Sequence, residues 1–388
     1  MKSTSGSDDP NFLITGLGII SAAGLNRDET ITTLFSPEPF AAGQSPTLRV
    51  SEDALQEFEN KKCGRELRVN QLAVIAIHEA LEMAGLTPEK IRKLRVGICL
   101  GSTVGCYNFQ DGFADEYNLK KFPDPKKLNS HFKNNSAQFL ARHFELRGPV
   151  QLISNACTSG ADSIGIAAGW LRADLCDLVI CGGSEVILPQ IYAGFKSLQL
   201  CAPTLCKPFD RERKGLTLGE GAGFIILEKS STARAPIARY LGFMSASDAY
   251  HPTAPHPEAR GLQRATKILL NDLEQPKIDF INAHGTATAH NDRAEGRLLK
   301  NYFSMVPVVA TKAYTGHTLA AAGAIEAIFT ILSLQLQKLP PSRGFTIVDP
   351  EIDLTPTQGV IAGNFSTALS FSLGFGGTNS VLALGRAT

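Results

Sequence analysis

Short apolar runs bounded by glycine alternate with longer stretches at helical spacing along most of the chain, and this alternation limits the fold more than any other feature. FLITGLGIIS opens as a strand with a glycine turn, and 69–86 (VNQLAVIAIHEALEMAGL) spaces its apolar residues for one helix face and stops on glycine. LRVGICLGS reads as a buried strand, and strand VQLIS, a helix over 158–172 and strand CDLVICGGSE come later in the same half. A glycine- and charge-rich loop, CKPFDRERKGLTLGEGAG, then leads into strand FIILE. After a polar stretch around 230–236 the alternation returns: strand IARYLGFMSAS, helix 259–273, strand KIDFINAHG, helix 292–302, strand VPVVATK, helix 318–337 and a terminal pair of strands. This order predicts an α/β protein of two similar halves, 1–233 and 234–388, with buried and largely parallel strands. Residues 104–135 are polar, aromatic and lysine-bearing and read as an excursion from the core.

Composition narrows the function. Lys+Arg is 38 against Asp+Glu 37 in 388 residues, so the strong basic footprint of a general nucleic-acid binder is missing. The first residues, MKSTSGSDDPNF, carry no apolar leader, and AAAGAIEAIFTILSL is interrupted by Glu326 and reads as too short to insert in a membrane. The eight cysteines are scattered without CxxC pairs, as suits reduced thiols in a cytoplasmic protein. No His/carboxylate spacing matches a metal motif, and His284 and His290 lie six apart without helical register, so no metal is expected.

Cys157, in ISNACTSG, stands where a strand gives way to a helix. There the helix dipole and free N–H groups favour thiolate, although a packed thiol fits ACTSG equally well. His284 (IDFINAHGT) and His317 (VVATKAYTGH) each follow a strand, at the sheet edge where α/β folds bind ligands. Each alone reads as a structural histidine; with Cys157 on a third strand end they suggest one cluster. GFGGTN (374–379) is either a tight turn or a loop whose N–H groups hold an oxyanion.

Taken in order, NACTSG, KPFDRERKGLTLGEGAG, NAHGTAT, TKAYTGHTLAAAGAIEA and GFGGTN resemble the β-ketoacyl-acyl carrier protein synthases, in particular the elongating type II enzymes. The resemblance covers nearly the whole chain. It implies a thiolase-like five-layer αβαβα fold and a Cys-His-His site, with Cys157 as nucleophile and His284 and His317 as the catalytic histidines. Lys312 and Glu326 would support them, with the pair positioning His317 and its neighbours. Thr286 and Thr288 would bind the phosphopantetheine arm. Phe375 would gate the site, its N–H joining that of Cys157 in the oxyanion hole, and Phe195, Leu373 and Phe375 would contact substrate. The implied reaction is decarboxylative condensation of malonyl-carrier with an acyl chain held on Cys157. It uses no cofactor beyond the phosphopantetheine of the acyl carrier protein.

Several positions depart from the family pattern. Leu373 stands where a phenylalanine is usual, and HGTATAHND replaces HGTSTPAGD, so Ala289 takes the place of proline and His290 is new. The 104–135 stretch is also unlike the common sequence. Lys61, Lys62, Arg65 and Arg68, with Lys126 and Lys127, are candidates for docking the acidic carrier. The implied assembly is a homodimer, or the catalytic half of a heterodimer with a chain-length-factor-like homologue. A non-catalytic subunit would lack the cysteine. A thiolase would carry a second reactive cysteine near the C-terminus, whereas the last here is Cys206. A type III synthase would place asparagine where His317 stands, and a cysteine hydrolase would not need paired histidines. The chain reads as freestanding, and its product as a fatty acid, polyene or polyketide.

Overall fold

The computed structural model describes residues 12–36, 47–52, 55, 67–105, 135–233 and 235–387. In the first half the strands are β1 (Phe12–Ser21), β2 (Thr47–Leu48), β3 (Val96–Gly101), β4 (Val150–Ile153), β5 (Leu178–Glu185), β6 (Leu218–Gly219) and β7 (Gly221–Lys229). The helices there are α1 (Arg27–Phe35), α2 (Arg68–Met83), α3 (Pro88–Ile91), α4 (Ser136–His143), α5 (Ser159–Arg172) and α6 (Pro189–Ser197). The second half has β8 (Ala238–Ser247), α7 (Arg260–Asp272), β9 (Phe280–Ala283), α8 (Ala289–Phe303), β10 (Val308–Ala310), α9 (Lys312–Thr315) and α10 (Ala322–Leu336). It ends with β11 (Lys338–Leu339), β12 (Ile361–Ala362), β13 (Thr367–Gly374) and β14 (Thr378–Arg386).

The main sheet has 10 strands in the order β10-β9-β13-β14-β8-β1-β7-β5-β3-β4. Cut between β8 and β1, it falls into two sheets of the same design. In each, the third strand pairs the second, the second pairs the fourth, the fourth pairs the fifth and the fifth pairs the first. The first two pairings are parallel and the last two antiparallel in both halves. The sheet is therefore mixed, not largely parallel as the apolar runs suggested. A strand buried on both faces reads the same whichever way its neighbour runs.

Burial divides the protein into layers. On β3, Val96, Ile98 and Leu100 join the outer core under α2 and α4, while Cys99 faces the centre. On β13, Leu369 and Phe371 join the outer core under α7 and α8, while Ala368 faces the centre. Between the two sheets lie α5 and α10, whose Ile164, Leu171, Ile325, Ile328 and Phe329 form the central core. The result is the expected αβαβα stack. Leu319–Leu336 is long and apolar enough to cross a membrane, longer than the sequence suggested, and it is 89% buried as the central helix here.

Two boundaries differ from expectation, and several helices were unforeseen. α8 begins at Ala289 rather than 292, directly after the Thr288 cap. The 318–337 helix opens as a tight 3-10 turn, Leu319–Ala321. α1, α3, α4 and α6 were not anticipated, being short or, in α6, without a buried residue to give a periodic signal.

Candidate active site

Cys157 sits on the turn between β4 and α5. The Ser159 hydroxyl accepts from Asn155 N–H (2.8 Å) and donates to Ala156 C=O (2.7 Å), and Ala156 is left-handed at φ 48°. Asp162, one turn along α5, accepts from Asn155 Nδ2 (2.7 Å) and Thr158 Oγ1 (2.8 Å). A strained backbone held this tightly is typical of a site where one side chain must point away from its neighbours. The helix starts at Ser159, so the thiol lies just outside its N-terminus. Its environment differs from the expected one. Burial pushes the Cys157 thiol up to about 12, outweighing the nearby Lys312 charge and the N–H of Phe375, which donates to the sulfur. At rest the group is a thiol.

His317 follows α9 through Gly316 at φ 69°, and its backbone is locked by His317 N–H to Thr217 C=O (2.6 Å) and Gly219 N–H to His317 C=O (3.0 Å). Its Nε2 is 3.1 Å from Cys157 Sγ. His284 follows β9. Its N–H and that of Gly285 donate to the two oxygens of Glu295, at 2.6 and 2.8 Å. The two imidazoles meet edge to face, ring centroids 5.2 Å apart at 85°. Burial first, then the Lys312 charge, lowers both pKa values well below the usual histidine value, so both rings are neutral near pH 7.

Lys312 is 1% exposed and bonds three acceptors: Glu326 Oε1 (2.5 Å), His284 C=O (2.5 Å) and His284 Nδ1 (3.1 Å). An ammonium can only donate, so His284 Nδ1 accepts and the ring proton stands on Nε2. The Lys312–Glu326 pair therefore acts on His284, the neighbour of His317, rather than on His317 itself. Burial raises Glu326 to about 7 against the pull of Lys312.

Cys157, His284 and His317 line one cavity of about 500 Å³ together with Thr286, Thr288, Phe195, Leu373 and Phe375. The Thr286 and Thr288 hydroxyls are 2.9 Å apart, and Phe195 stacks on Phe375 at 5.4 Å and 24°. His290 lines the same cavity. Such a site offers a buried thiol nucleophile beside two buried, neutral imidazoles.

Residues 11–233 match the beta-ketoacyl synthase N-terminal domain and residues 237–346 the beta-ketoacyl synthase C-terminal domain. A 3-oxoacyl-[acyl-carrier-protein] synthase 2 of Synechocystis sp. is 34% identical over 352 residues, 85% of this chain and 84% of the relative. The chain belongs to the β-ketoacyl synthase family. A Staphylococcus aureus 3-oxoacyl-[acyl-carrier-protein] synthase 2 is 30% identical over 97% of this chain and 98% of its own length. Among solved structures, a type II polyketide ketosynthase in complex with its acyl-carrier protein superposes with TM-score 0.85 at 25% identity, covering 98% of this chain and all (100%) of that one. The ishigamide ketosynthase/chain length factor gives the same values. This β-ketoacyl synthase is therefore a condensing acyltransferase on a thiolase-like fold, and its reaction is the decarboxylative condensation of malonyl-carrier with an acyl chain.

Of the docking candidates, Lys61, Lys62, Arg65, Lys126 and Lys127 lie outside the described residues. Arg68 is described and does not present a free charge. Its guanidinium pairs with buried Glu220 (2.5 Å) and with Glu52 (2.8 Å), and it donates to Val50 C=O (2.6 Å). That arginine is a tie between α2 and the loop before β7.

Sequence reasoning missed the buried acids behind the site. Glu295 grips the His284–Gly285 backbone, and Asp292 accepts from Phe209 and Ala287 N–H groups (2.7 and 3.1 Å). Their signal was available: Asn291, Asp292 and Glu295 recur at helical spacing just after NAHGTAT and share one face of α8.

Proposed function

We propose that Cys157 carries the acyl chain and that His284 and His317 stabilise the enolate formed from malonyl-carrier. Cys157 Sγ attacks the carbonyl of an acyl-carrier thioester. The new C–S bond replaces the old one, and the freed carrier thiol leaves with a proton. His317 Nε2, 3.1 Å from the sulfur, is placed to take the thiol proton as the attack proceeds. Malonyl-carrier then enters. Cleavage of its terminal C–C bond releases CO₂ and leaves an enolate whose oxygen accepts from the Nε2–H of His284 and from His317, whose ring carries its proton on Nε2 at this stage. The enolate carbon attacks the acyl-Cys157 carbonyl. The N–H groups of Cys157 and Phe375 hold its oxygen until the C–S bond breaks; the Cys157 sulfur leaves as thiolate, regains a proton from solvent by way of His317, and the β-ketoacyl-carrier departs.

The observation that carries this reading is the Cys157–His317–His284 arrangement, with the His284 proton fixed on Nε2 by Lys312. Thr286 and Thr288 would take the amides of the phosphopantetheine arm, the only prosthetic group the chemistry needs. The arm arrives on the acyl carrier protein, for which Lys61, Lys62, Arg65, Lys126 and Lys127 are the proposed contacts, in the cytoplasm. The stable unit is a homodimer, or a heterodimer with a chain-length-factor-like homologue. The heterodimer is supported by the structural likeness to the ishigamide ketosynthase/chain length factor and to a Xenorhabdus doucetiae ketosynthase in complex with its chain length factor.

Intact mass after exposure to a panel of acyl-carrier proteins tests the assignment. A mass gain equal to the acyl group on the wild type and none on Cys157→Ala is expected. Equal gain on both places the acyl group elsewhere and removes Cys157 as acceptor.

A further inference from the structure

Glu185 closes β5, is fully buried, and has no part in the steps above. Its carboxylate accepts from Thr103 N–H (2.8 Å), the Thr103 hydroxyl (2.5 Å), Val104 N–H (3.1 Å) and the backbone N–H of Ala320. Thr103 and Val104 follow the end of β3, and Ala320 is in the 3-10 turn three residues after His317. The ends of β3 and β5 also press directly on the catalytic turns. A Cβ on Gly101 would lie 2.5 Å from Ser159 C, and one on Gly183 would lie 2.9 Å from Ala321 Cα. One carboxylate thus joins two chain segments that have no covalent link near the site, at the place where the Cys157 turn and the His317 turn meet.

Burial is the main cause that keeps the Cys157 thiol protonated, and the charges of Glu185 and Glu326 add to it while Lys312 opposes them. Only an acceptor-only group satisfies all these donors at once, and a carboxylate is the side chain that supplies one.

We propose that Glu185 is a positioning residue of the condensing site, a buried strut that holds the turn after His317 against the end of β3 and so sets the His317–Cys157 spacing. This rests on the assignment of Cys157 and His317 made above.

The test compares the wild type with Glu185→Gln and Thr103→Val in the full chain. Each is assayed for condensation with malonyl-carrier and for the pH dependence of Cys157 alkylation by iodoacetamide. Glu185→Gln should lower kcat about tenfold through loss of charged hydrogen bonds, with KM for malonyl-carrier within about twofold. Its alkylation should reach half-maximum at a lower pH than in the wild type, because a negative charge has left the thiol's side. A residue that only held the fold together would slow alkylation and condensation alike. Thr103→Val, which removes one hydroxyl donor and little volume, should lower kcat about threefold and serves if Glu185→Gln does not fold. A kcat within about twofold of wild type in Glu185→Gln, or an alkylation profile that does not move, overturns the proposal. Should the wild type form no β-ketoacyl product, the assignment of Cys157 and His317 fails instead, and the alkylation profile alone decides the role of Glu185.

Discussion

At the scale of single residues, Lys312 decides most. It fixes the His284 tautomer, depresses both imidazoles and balances Glu326, all from a position 1% exposed. Removing one member of a buried ion pair typically costs about 3–5 kcal/mol, because the other is left charged and unpaired. Glu326 has a way out, since burial already raises it to about 7 and it can take up a proton instead. Lys312→Met should therefore lose little stability at pH 6 and more at pH 8.5, as seen in thermal melts. Glu326→Leu added to it should restore the melting temperature at pH 8.5, because an apolar pair can replace a buried ion pair. Condensation should stay down about a hundredfold in both, since His284 no longer has its Nδ1 donor. A double variant that regained activity would show that the pair serves only the fold. Cys157, His284 and His317 were legible in the sequence because each sits in a motif at a strand end. The pairing of Lys312 with Glu326 was expected too, but the histidine that the lysine reaches was not. The lysine is five residues from His317 along the chain, yet its Nζ bonds the histidine 28 positions away, a choice made by the packing of β9 beside β10.

At the scale of elements, α8 acts as a clamp. Glu295 accepts both N–H groups of the His284–Gly285 turn inside the core, where it is fully buried. Leaving two buried donors unsatisfied costs about 1–3 kcal/mol each. Glu295→Ala should lower stability by about 2–6 kcal/mol in denaturant titrations, with kcat falling alongside as His284 loses its backbone anchor. A variant that kept wild-type kcat at unchanged stability would remove the clamp. The helices and long strands were readable from their spacing, and GFGGTN from its glycines. Strand direction was not, because β5 and β7 carry the same apolar pattern although one neighbour of β5 is parallel and the other antiparallel. The roles of Glu185 and Glu295 were equally hidden. An acid at the end of an apolar strand or inside a helix looks like surface until the neighbouring backbone is known to point its N–H groups at it.

At the scale of the whole molecule, two halves of one design place their strand ends around a shared buried centre, and the site inherits that burial. The consequence is a conflict between stability and ionisation. Burial raises Glu185, Glu295 and Glu326 each to about 7, against an ordinary value of 4.5, and holds His284 and His317 well below 6.5. Between about pH 4.5 and 7 the folded protein keeps carboxyl protons that the unfolded chain has released, so these acids make stability fall as pH rises. The two histidines act the other way below 6.5, where the unfolded chain takes protons that the folded protein refuses. The three acids, joined by Glu79, Asp162 and Asp292, which burial also raises, outnumber the two imidazoles. Stability should therefore decline from about pH 5 to 8, while condensation rises through pH 7 as the carboxylates ionise and grip their N–H and ammonium partners. Melting temperatures of the wild type across that range, with activity measured in parallel, test this. Glu295→Gln should show a shallower decline, having one proton fewer to lose. A melting temperature that climbs toward pH 8 would mean that these acids are already ionised when the protein folds, and that the centre is wetter than its packing implies.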